Sequence, residues 1–305
     1  MNRDGVLLLG GSGFVGSALT RRFAAEGRKV YVLSRNATST STSNNVHILQ
    51  GSQDDPMLLA KALPHCGTVI HLASATTPGS SAFNPVLELN NLAPTLRFLE
   101  ELGAYPERHL IFFSSGGTVY GNPLHLPVPE DAPLTPLSYH GAGKVALESL
   151  LQAFRTRGNS VTILRPSNAY GPGQSLKSGF GLIRTMLEHA RHGTSLDIWG
   201  DGENVRDFIY IDDIVEVCTR LVAFQKDNGT FNLGSGIGYS VNQLKDIVEE
   251  VTGAMLATTY RARRQTDVRE VVLDISRMKS QLSWVPSTEI VDGVKLTWDW
   301  VSNQQ

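Results

Sequence analysis

A glycine-rich segment near the start of the chain is the first feature whose residue types could do chemistry. The sequence GGSGFVG, from Gly10 to Gly16, directly follows the apolar run VLLL and opens a segment of helical period. Gly10 and Gly11 allow a tight turn, and Gly13 lets the backbone approach a pyrophosphate. Gly16 lets the helix pack closely on the sheet, and the helix N-terminus favours phosphate. In this strand–turn–helix setting the segment predicts a dinucleotide-binding site.

The end of the second predicted strand bears on which dinucleotide binds. An NAD site usually has an acidic residue there, which bonds the ribose hydroxyl groups. This chain has Ser34 and Arg35 at that position, followed by uncharged residues. A guanidinium beside a hydroxyl group suits a 2′-phosphate, whereas a solvated loop arginine would have no such role. We therefore expect NAD(P) as the cofactor, with NADP slightly favoured.

The elements that must position these residues follow from alternating apolar runs and segments of helical period. Near-continuous apolar strands separated by helices indicate a parallel sheet covered on both faces, which is an α/β, doubly wound Rossmann fold. The predicted strands are Val6–Leu9, Val30–Leu33, Thr68–Leu72, Leu110–Phe113 and Ser160–Leu164. The predicted helices include Val15–Glu26, Val86–Leu102, Tyr139–Arg157, Asn242–Thr252 and Ile290–Val301.

The domain organisation is predicted from a change in the sequence pattern at about Gly171. There the alternation of apolar runs and helical segments is interrupted by glycine and proline. We expect an NAD(P)-binding Rossmann domain over residues 1–170, with residues 206–235 returning to it. A smaller C-terminal substrate-binding region is expected over residues 171–205 and 236–305. The polar segment 34–45 is interpreted as a loop after the second strand.

Composition narrows the classes of partner. The 305 residues carry a formal net charge of -2 at pH 7, which gives no reason to expect nucleic acid or an anionic membrane. Cys66 and Cys218 are far apart and match no metal-ligand spacing, so we expect no metal site and reduced thiols. The apolar run at the N-terminus is too short for a signal peptide, and no run reaches the ~20 residues of a membrane span. A cytoplasmic location is expected.

Further segments in a fixed order carry a resemblance that covers most of the chain. They are HLASA (71–75), NN (90–91), SSGGTVYG (114–121), the helix of Lys144, LRPSNAYGPG (164–173), WGDGENVRDFIYIDD (199–213), FNLGSG (231–236) and RRQTDVREVVLDIS (263–276). With the glycine motif, these segments resemble the extended short-chain dehydrogenase/reductases. Within them, the chain is most similar to the NAD-dependent epimerase/dehydratase group, which includes UDP-glucose 4-epimerase.

This resemblance implies roles for residues on the cofactor side. Lys144 would hydrogen-bond the nicotinamide ribose and add positive potential. The residues that would lie under the pyrophosphate are Gly10, Gly13, Phe14 and Val15, with Gly16 closing the turn, and those that would line the cofactor beyond the fourth strand are Leu72, Ala73 and Ser74.

On the substrate side, the resemblance implies a UDP-sugar or another nucleotide-diphosphate sugar. Asn168 and Arg206 would contact the diphosphate, and Arg264 and Asp267 would close its nucleoside end. The alternative for Arg206 is a structural ion pair with Asp207 or Asp212. The helices 86–102 and 139–157 would pair across a two-fold axis into a homodimer.

Two positions depart from the pattern of this family. Its acid/base is a tyrosine four residues before the lysine, but here that position holds His140. A neutral imidazole could take the role, because its ordinary pKa is about 6.5. Tyr139 is the rival, although it lies about 140° from Lys144 around a regular helix. The alternative is a histidine without a catalytic role.

The second departure is at the catalytic serine or threonine of the family. That position falls on Gly116 in this chain, and Thr118 is the nearest replacement, with Ser115 as another candidate. Because the proton-handling groups have changed, three functions stay open. They are an NAD(P)-dependent epimerase acting through a transient keto-sugar, an NADPH-dependent reductase of a nucleotide-linked 4-keto sugar, and a non-catalytic protein that binds cofactor and sugar nucleotide.

Overall fold

The structure is a computed structural model that describes residues 4–36, 43–176, 181–224, 229–263 and 267–304. By its internal packing the chain divides into two units, each of which is described by itself. Unit 1 contains Met1–Ser114, Tyr139–Arg165 and Ile214–Phe231, and unit 2 contains Ser115–Ser138, Pro166–Asp213 and Asn232–Gln305. Residues 115–138 therefore belong to unit 2, although the sequence analysis places them in the first domain.

The described residues form strands and helices that alternate along most of the chain. The strands are β1 (Gly5–Leu9), β2 (Val30–Ser34), β3 (Val46–Gln50), β4 (Cys66–His71), β5 (His109–Phe113), β6 (Ser160–Pro166), β7 (Asn168–Tyr170), β8 (Leu196–Trp199), β9 (Val205–Tyr210), β10 (Thr230–Leu233), β11 (Gly238–Ser240), β12 (Thr258–Arg261) and β13 (Glu270–Val271). The helices are α1 (Phe14–Ala25), α2 (Pro56–Ala62), α3 (Leu89–Gly103), α4 (Gly116–Val119), α5 (Tyr139–Thr156), α6 (Leu182–His192), α7 (Ile211–Phe224), α8 (Val241–Thr252), α9 (Ser276–Leu282) and α10 (Ile290–Ser302). Short 3₁₀ turns cover Leu63–His65 and Pro85–Glu88.

A seven-stranded sheet has the strand order β10-β6-β5-β4-β1-β2-β3. The pairs of β1 with β2 and with β4 are parallel, so that Leu8 lies beside both Val32 and Ile70. All five residues of β1 are buried, as expected for a strand covered on both faces. The strand order reverses between β1 and β4, which is the switch point where doubly wound sheets bind ligands. The predicted Rossmann fold is confirmed.

Helices α3 and α5 pack on this sheet through their apolar faces. Phe98 of α3 and Leu147 and Leu151 of α5 belong to the same buried cluster as Leu7 of β1 and Phe112 of β5. Truncation of such side chains in a close-packed core typically costs about 2–5 kcal/mol. This packing fixes the rotation of α5 about its axis and therefore the direction in which its first turn presents side chains.

Unit 2 has its own small sheets. Strand β9 pairs in parallel with β7 and β13 and antiparallel with β11, and β8 pairs in parallel with β12. Helix α8 begins with a capping box, in which the side chains of Ser240 and Gln243 satisfy each other's backbone N–H groups. Of the segment 206–235 predicted to return to the first domain, Ile214–Phe231 belongs to unit 1. Among its described strands, β10 joins the seven-stranded sheet and β9 pairs within unit 2.

The differences in element bounds have local causes. The helix predicted from Val86 begins at Leu89, because Pro85 starts a 3₁₀ turn over Pro85–Glu88. Strand β3 is not among the predicted strands, because the polar residues His47 and Gln50 interrupt its apolar run; they are exposed, and its other residues are partly buried. Residues 37–42 of the predicted polar loop lie outside the described residues.

None of the described helices is long and apolar enough to cross a membrane, and the described residues contain no group of three or more metal-binding side chains.

Candidate active site

The glycine turn joins β1 to α1. Gly10 has a φ of +81°, and a Cβ on it would lie 2.8 Å from the Cα of Ala73. A Cβ on Gly16 would lie 2.5 Å from the Cα of Gly11, so the helix touches the turn. Gly13 differs, because a Cβ there would meet only the carbonyl oxygen of Gly10, at 3.3 Å. Packing thus requires Gly10 and Gly16, whereas Gly13 leaves open surface in front of the helix.

The N-terminus of α1 retains its potential for an anion. No side chain caps the helix at Gly13, and the first N–H groups of a helix have no intrahelical acceptor. Phe14 and Val15 are the first two helical residues, and both are partly buried. The free N–H groups and the helix dipole at this point favour a phosphate. The arrangement therefore fits the pyrophosphate of a dinucleotide.

The segment after β4 lies directly beside this turn. The backbone N–H of Leu72 donates to the carbonyl oxygen of Leu9 at 2.9 Å, and Ala73 occupies the space left by the absent side chain of Gly10. The hydroxyl group of Ser74 donates to the carbonyl oxygen of Thr76 at 2.9 Å. The structure thus brings the predicted cofactor residues of β1 and β4 together within unit 1.

The end of β2 also lies at the glycine turn. The hydroxyl oxygens of Ser12 and Ser34 are 2.5 Å apart, which places Ser34 against the turn. The side chain of Arg35 is exposed, and its carbonyl oxygen accepts a hydrogen bond from Gln50 at 3.5 Å. Arg35 is therefore free to meet a group at the end of β2, and its contact with a 2′-phosphate stays a prediction.

Helix α5 begins at Tyr139, so His140 and Lys144 lie one turn apart on one face. Both side chains are buried, with 7% and 8% of their surface exposed, whereas Tyr139 is 48% exposed. The first turn is regular, and it directs the histidine and lysine inward. The structure thus pairs His140, and not Tyr139, with Lys144.

Lys144 is held at the end of β5. Its Nζ donates to the carbonyl oxygen of Phe113 at 2.9 Å and lies 5.1 Å from the ring centre of Phe112. Burial lowers the pKa of Lys144 to about 8, although the Glu88 and Glu148 carboxylates favour its charged form. The ammonium group is therefore still protonated at neutral pH, but it loses its charge a little above it.

The His140 ring is held from the other side by the loop after β4. Its Nδ1 lies 3.0 Å from the hydroxyl oxygen of Thr76. Burial lowers the pKa of His140 to about 4; the charge of Lys144 acts in the same direction, and Glu88 opposes both. His140 is therefore a neutral imidazole at pH 7, which is the form that a general base requires.

A short hydrogen-bonded chain extends from His140 through Thr76 to α3. The backbone N–H of Ala75 donates to Oδ1 of Asn91 at 2.7 Å, which fixes the orientation of that amide. The amide nitrogen then donates to Thr76 Oγ1 at 2.8 Å and to Glu88 Oε2 at 3.0 Å. Sequence reasoning assigned these residues no role. Thr76 follows the HLASA segment and Asn91 ends the NN segment, but Glu88 had no signal beyond its place one turn before Asn91.

In unit 2, the segment after β5 holds the predicted hydroxyl groups. Ser115 precedes the short helix α4, and the backbone N–H of Thr118 donates to the Ser115 carbonyl oxygen at 3.3 Å. The Thr118 hydroxyl oxygen is buried and has no hydrogen-bond partner among the described residues. A polar atom in this state is available for a ligand, and its role stays a prediction.

Also in unit 2, Arg206 is bound to backbone rather than to a carboxylate. Its guanidinium donates to the carbonyl oxygens of Val205, at 2.8 Å, and Val268. Within the described parts of the chain it forms no ion pair with Asp207 or Asp212. Asp207 instead accepts hydrogen bonds from backbone N–H groups, including that of Ser235 at 2.8 Å. The alternative for Arg206, a structural ion pair with Asp207 or Asp212, is therefore not formed among the described residues.

The other substrate-side residues are placed as follows. Asn168 begins β7, is exposed, and donates through Nδ2 to the Asp207 carbonyl oxygen at 3.0 Å. Asp267 is partly buried, and its charge favours the charged form of Arg206, whose pKa is lowered chiefly by burial. Arg264 lies outside the described residues. Asn168, Arg206 and Asp267 thus share unit 2, and their contacts with a diphosphate stay predictions.

A glycine turn at the switch point of a parallel sheet, with an uncapped helix behind it, defines a dinucleotide-binding Rossmann protein. The sequence comparison specifies the class further. The model of the NAD dependent epimerase/dehydratase family matches residues 6–234, and the chain belongs to that family.

Relatives of similar length bear this out. The UDP-glucose 4-epimerase of Mycolicibacterium smegmatis is 30% identical, over 98% of each chain. The crystal structure of UDP-glucose 4-epimerase from Thermotoga maritima with UDP-glucose has a TM-score of 0.90 and 31% identity, over 97% of this chain and 98% of that one. The Thermus thermophilus UDP-glucose 4-epimerase in complex with NAD has a TM-score of 0.90 and 27% identity, over 98% of this chain and 99% of that one.

Proposed function

We propose that the protein is an NAD(P)-dependent epimerase that acts on a nucleotide-diphosphate sugar through a transient keto-sugar. The observation that carries this function is the buried pair of His140 and Lys144 on one face of α5. It supplies a neutral base and a cation in a chain that matches UDP-glucose 4-epimerases over nearly its whole length. The relatives' substrates support a UDP-sugar, and the identity of the sugar is left to the assay.

The residues present fit a dinucleotide, because the uncapped start of α1 offers N–H groups and Gly13 leaves open surface before it. The backbone of Gly10, Gly13, Phe14 and Val15 would hold the pyrophosphate, Leu72, Ala73 and Ser74 would line the cofactor, and Lys144 would bond the nicotinamide ribose. When bound, the nicotinamide serves as acceptor and then donor of the sugar hydride.

His140 handles the proton that accompanies this transfer. Its Nε2 accepts the proton of the sugar hydroxyl group, which requires that Nδ1–H donates to Thr76. The Thr76 oxygen has a second lone pair for this purpose beside the one that Asn91 occupies. Because the pKa of His140 is as low as about 4, the imidazolium readily returns the proton to the keto oxygen.

The reaction assay separates this function from the two alternatives. An epimerase interconverts UDP-glucose and UDP-galactose without net change in the absorbance of reduced nicotinamide. Stoichiometric consumption of NADPH with a nucleotide-linked 4-keto sugar would instead identify a reductase. Tight binding of cofactor and UDP-sugar without turnover would identify a binding protein. Restored activity of His140→Tyr in an inert wild-type chain would mark a site that has lost its chemistry.

Arg206 is proposed to bind the diphosphate, because its guanidinium makes no ion pair within the described residues. Arg206→Ala is expected to weaken UDP-sugar binding by about 1.5–3 kcal/mol, the usual value of a charge-assisted hydrogen bond, and to leave cofactor affinity unchanged. Arg206→Lys keeps the charge but not the planar fork, so it should recover only part of the affinity. Unchanged calorimetric affinity in Arg206→Ala would contradict this role.

The preference for NADP is proposed on the exposed Arg35 and the absence of a carboxylate at the end of β2. Calorimetry should give tighter binding of NADP(H) than of NAD(H) to the wild type. Arg35→Ala should remove the difference and leave NAD(H) affinity as it was. Equal affinities in the wild type, or a preference that survives the substitution, would refute the proposal.

A homodimer is proposed through the segment of α3 and the turn before it. Val86, Leu89 and Leu96 are 66%, 56% and 42% exposed, so this segment leaves three large apolar side chains for a partner to cover. Sedimentation should show a dimer at micromolar concentration, and Leu96→Glu should shift it towards monomer. A monomeric wild type would refute this arrangement.

A cytoplasmic location is also proposed, because the cysteines Cys66 and Cys218 are both free.

A further inference from the structure

A buried carboxylate lies behind the His140–Lys144 pair and is used by none of the steps above. Glu88, at the end of the 3₁₀ turn before α3, is 6% exposed. Its Oε2 accepts a hydrogen bond from Asn91, but its Oε1 is buried without a hydrogen-bond partner among the described residues. An ionised carboxylate that has lost water and half its hydrogen bonds requires a compensating positive charge.

A glycine of α5 admits this carboxylate. A Cβ on Gly143 would lie 2.6 Å from Glu88 Oε2 and 3.3 Å from its Cδ, so the carboxylate rests directly against the helix backbone. Glycine is costly inside a helix, since it loses more backbone entropy than alanine. Gly143 stands three residues after His140 and directly before Lys144. The position therefore brings the negative charge close enough to act on both His140 and Lys144.

Among the charged groups around His140 and Lys144, Glu88 is the carboxylate that can balance their positive charge. Glu148, the other carboxylate acting on Lys144, is already paired with Arg165 at 2.6 Å. His71, at the end of β4, also faces Lys144, and burial lowers its pKa to about 3, so it is neutral. The charged groups that act on His140 are Lys144 of its own helix and Glu88 of the turn before α3.

We propose that Glu88 is a positioning residue for proton transfer, the counter-charge that lets His140 hold a proton beside the ammonium group of Lys144. The inference rests on the proposed function of His140. When the sugar hydroxyl proton moves to Nε2, the cluster of Glu88, Lys144 and His140 goes from a net charge of 0 to +1. Without Glu88 it would go from +1 to +2 in a buried site, where repulsion between like charges is strong.

Glu88→Gln tests this role, because it removes the charge and keeps an acceptor for Asn91. We expect kcat at neutral pH to fall about 3–10-fold, since a weaker base transfers the proton more slowly. We also expect the alkaline limb of the pH–activity profile, which follows loss of the Lys144 charge at about pH 8, to move to lower pH. Glu88→Asp, which keeps the charge, should restore part of both. Glu100→Gln, which changes an exposed carboxylate of α3, is the matched control and should change neither.

Gly143→Ala provides a second route that leaves Glu88 itself in place. The new methyl group must push the carboxylate away from α5, so the alkaline limb should move in the same direction as in Glu88→Gln. Thermal unfolding is the control measurement, because general damage to the fold would lower the melting temperature without moving the alkaline limb of the pH–activity profile.

The outcomes distinguish the inference from the function beneath it. Profiles of Glu88→Gln and Gly143→Ala that superpose on that of Glu100→Gln would overturn the inference, provided that His140→Ala is inactive. A fully active His140→Ala would overturn the proposed role of His140 and the inference with it. A shifted limb in both variants, together with an inactive His140→Ala, supports both.

Discussion

The glycine turn after β1 and the first turn of α5 both belong to the candidate active site, but they are built in opposite ways. In the turn, backbone atoms meet backbone atoms, as where Gly16 touches Gly11. At the start of α5, side chains meet side chains, as where His140 meets Thr76. In the turn, glycines leave the backbone uncovered, whereas the first turn of α5 carries the buried, ionisable side chain of His140.

This difference shows what each kind of site demands of a sequence. A site made of backbone N–H groups needs a residue that leaves the backbone uncovered, as Gly13 does, and its close backbone packing requires glycine at Gly10 and Gly16. A site made of one ionisable side chain needs a suitable pKa and a held geometry, which a histidine can supply if its neighbours hold the ring. Thr76 contacts the His140 ring, and Glu88 acts on it by its charge.

The sharpest test of the comparison removes the side chain of His140. His140→Ala should lower the rate about 10²–10⁴-fold, the usual contribution of a positioned general base, with cofactor binding retained. Tyr139→Phe should do little, because Tyr139 is half exposed on a different face of the helix. The measurement is kcat with a UDP-sugar beside calorimetry with NAD(P)H. The reverse result, an inactive Tyr139→Phe and an active His140→Ala, would assign the base to Tyr139.

Buried histidines, of which the glycine turn has none and the first turn of α5 has His140, should make the protein less stable at acidic pH. Burial lowers the pKa of His140 and His109 to about 4 and that of His71 to about 3. Below pH 6.5 the unfolded chain therefore binds protons that the folded protein refuses, and stability falls as the pH drops from about 6.5 towards 4. At about 1.4 kcal/mol per pKa unit, one such histidine should cost on the order of 2 kcal/mol at pH 5.

Urea unfolding at pH 7 and pH 5 measures this loss. His140→Gln should lose less stability between the two values than the wild type does, because it removes one of the buried imidazoles. The same loss in both proteins would mean that His140 takes up its proton as easily when folded as when unfolded.

The glycine turn separates packing from ligand binding, and its expected effects are about as large as the loss of stability in acid. Gly16→Ala should destabilise the fold by about 1–3 kcal/mol, because its Cβ overlaps the backbone of Gly11. Gly13→Ala should leave the melting temperature unchanged and weaken cofactor binding about tenfold, or 1.4 kcal/mol. Unaltered affinity in Gly13→Ala would show that no phosphate approaches this residue.

The sequence predicted most of the first sheet and part of the site, for physical reasons that can be named. Continuous apolar runs identify buried parallel strands such as β1, but β3 lacks such a run. The spacing of four residues places His140 and Lys144 on one helical face without any knowledge of the tertiary structure. Glu88 and Gly143 meet only because α3 and the 3₁₀ turn before it pack against α5. No local sequence pattern encodes that approach.

The missing side chain at Gly143 also limits how this site could be transplanted. In an epimerase that has no carboxylate at the position of Glu88, introducing only the histidine would give an imidazole without its counter-ion. Where the residue before the lysine carries a Cβ, a glutamate introduced at the end of the 3₁₀ turn would collide with the helix. A working graft would need the histidine, the glutamate and the glycine together, with the glycine introduced before or with the glutamate.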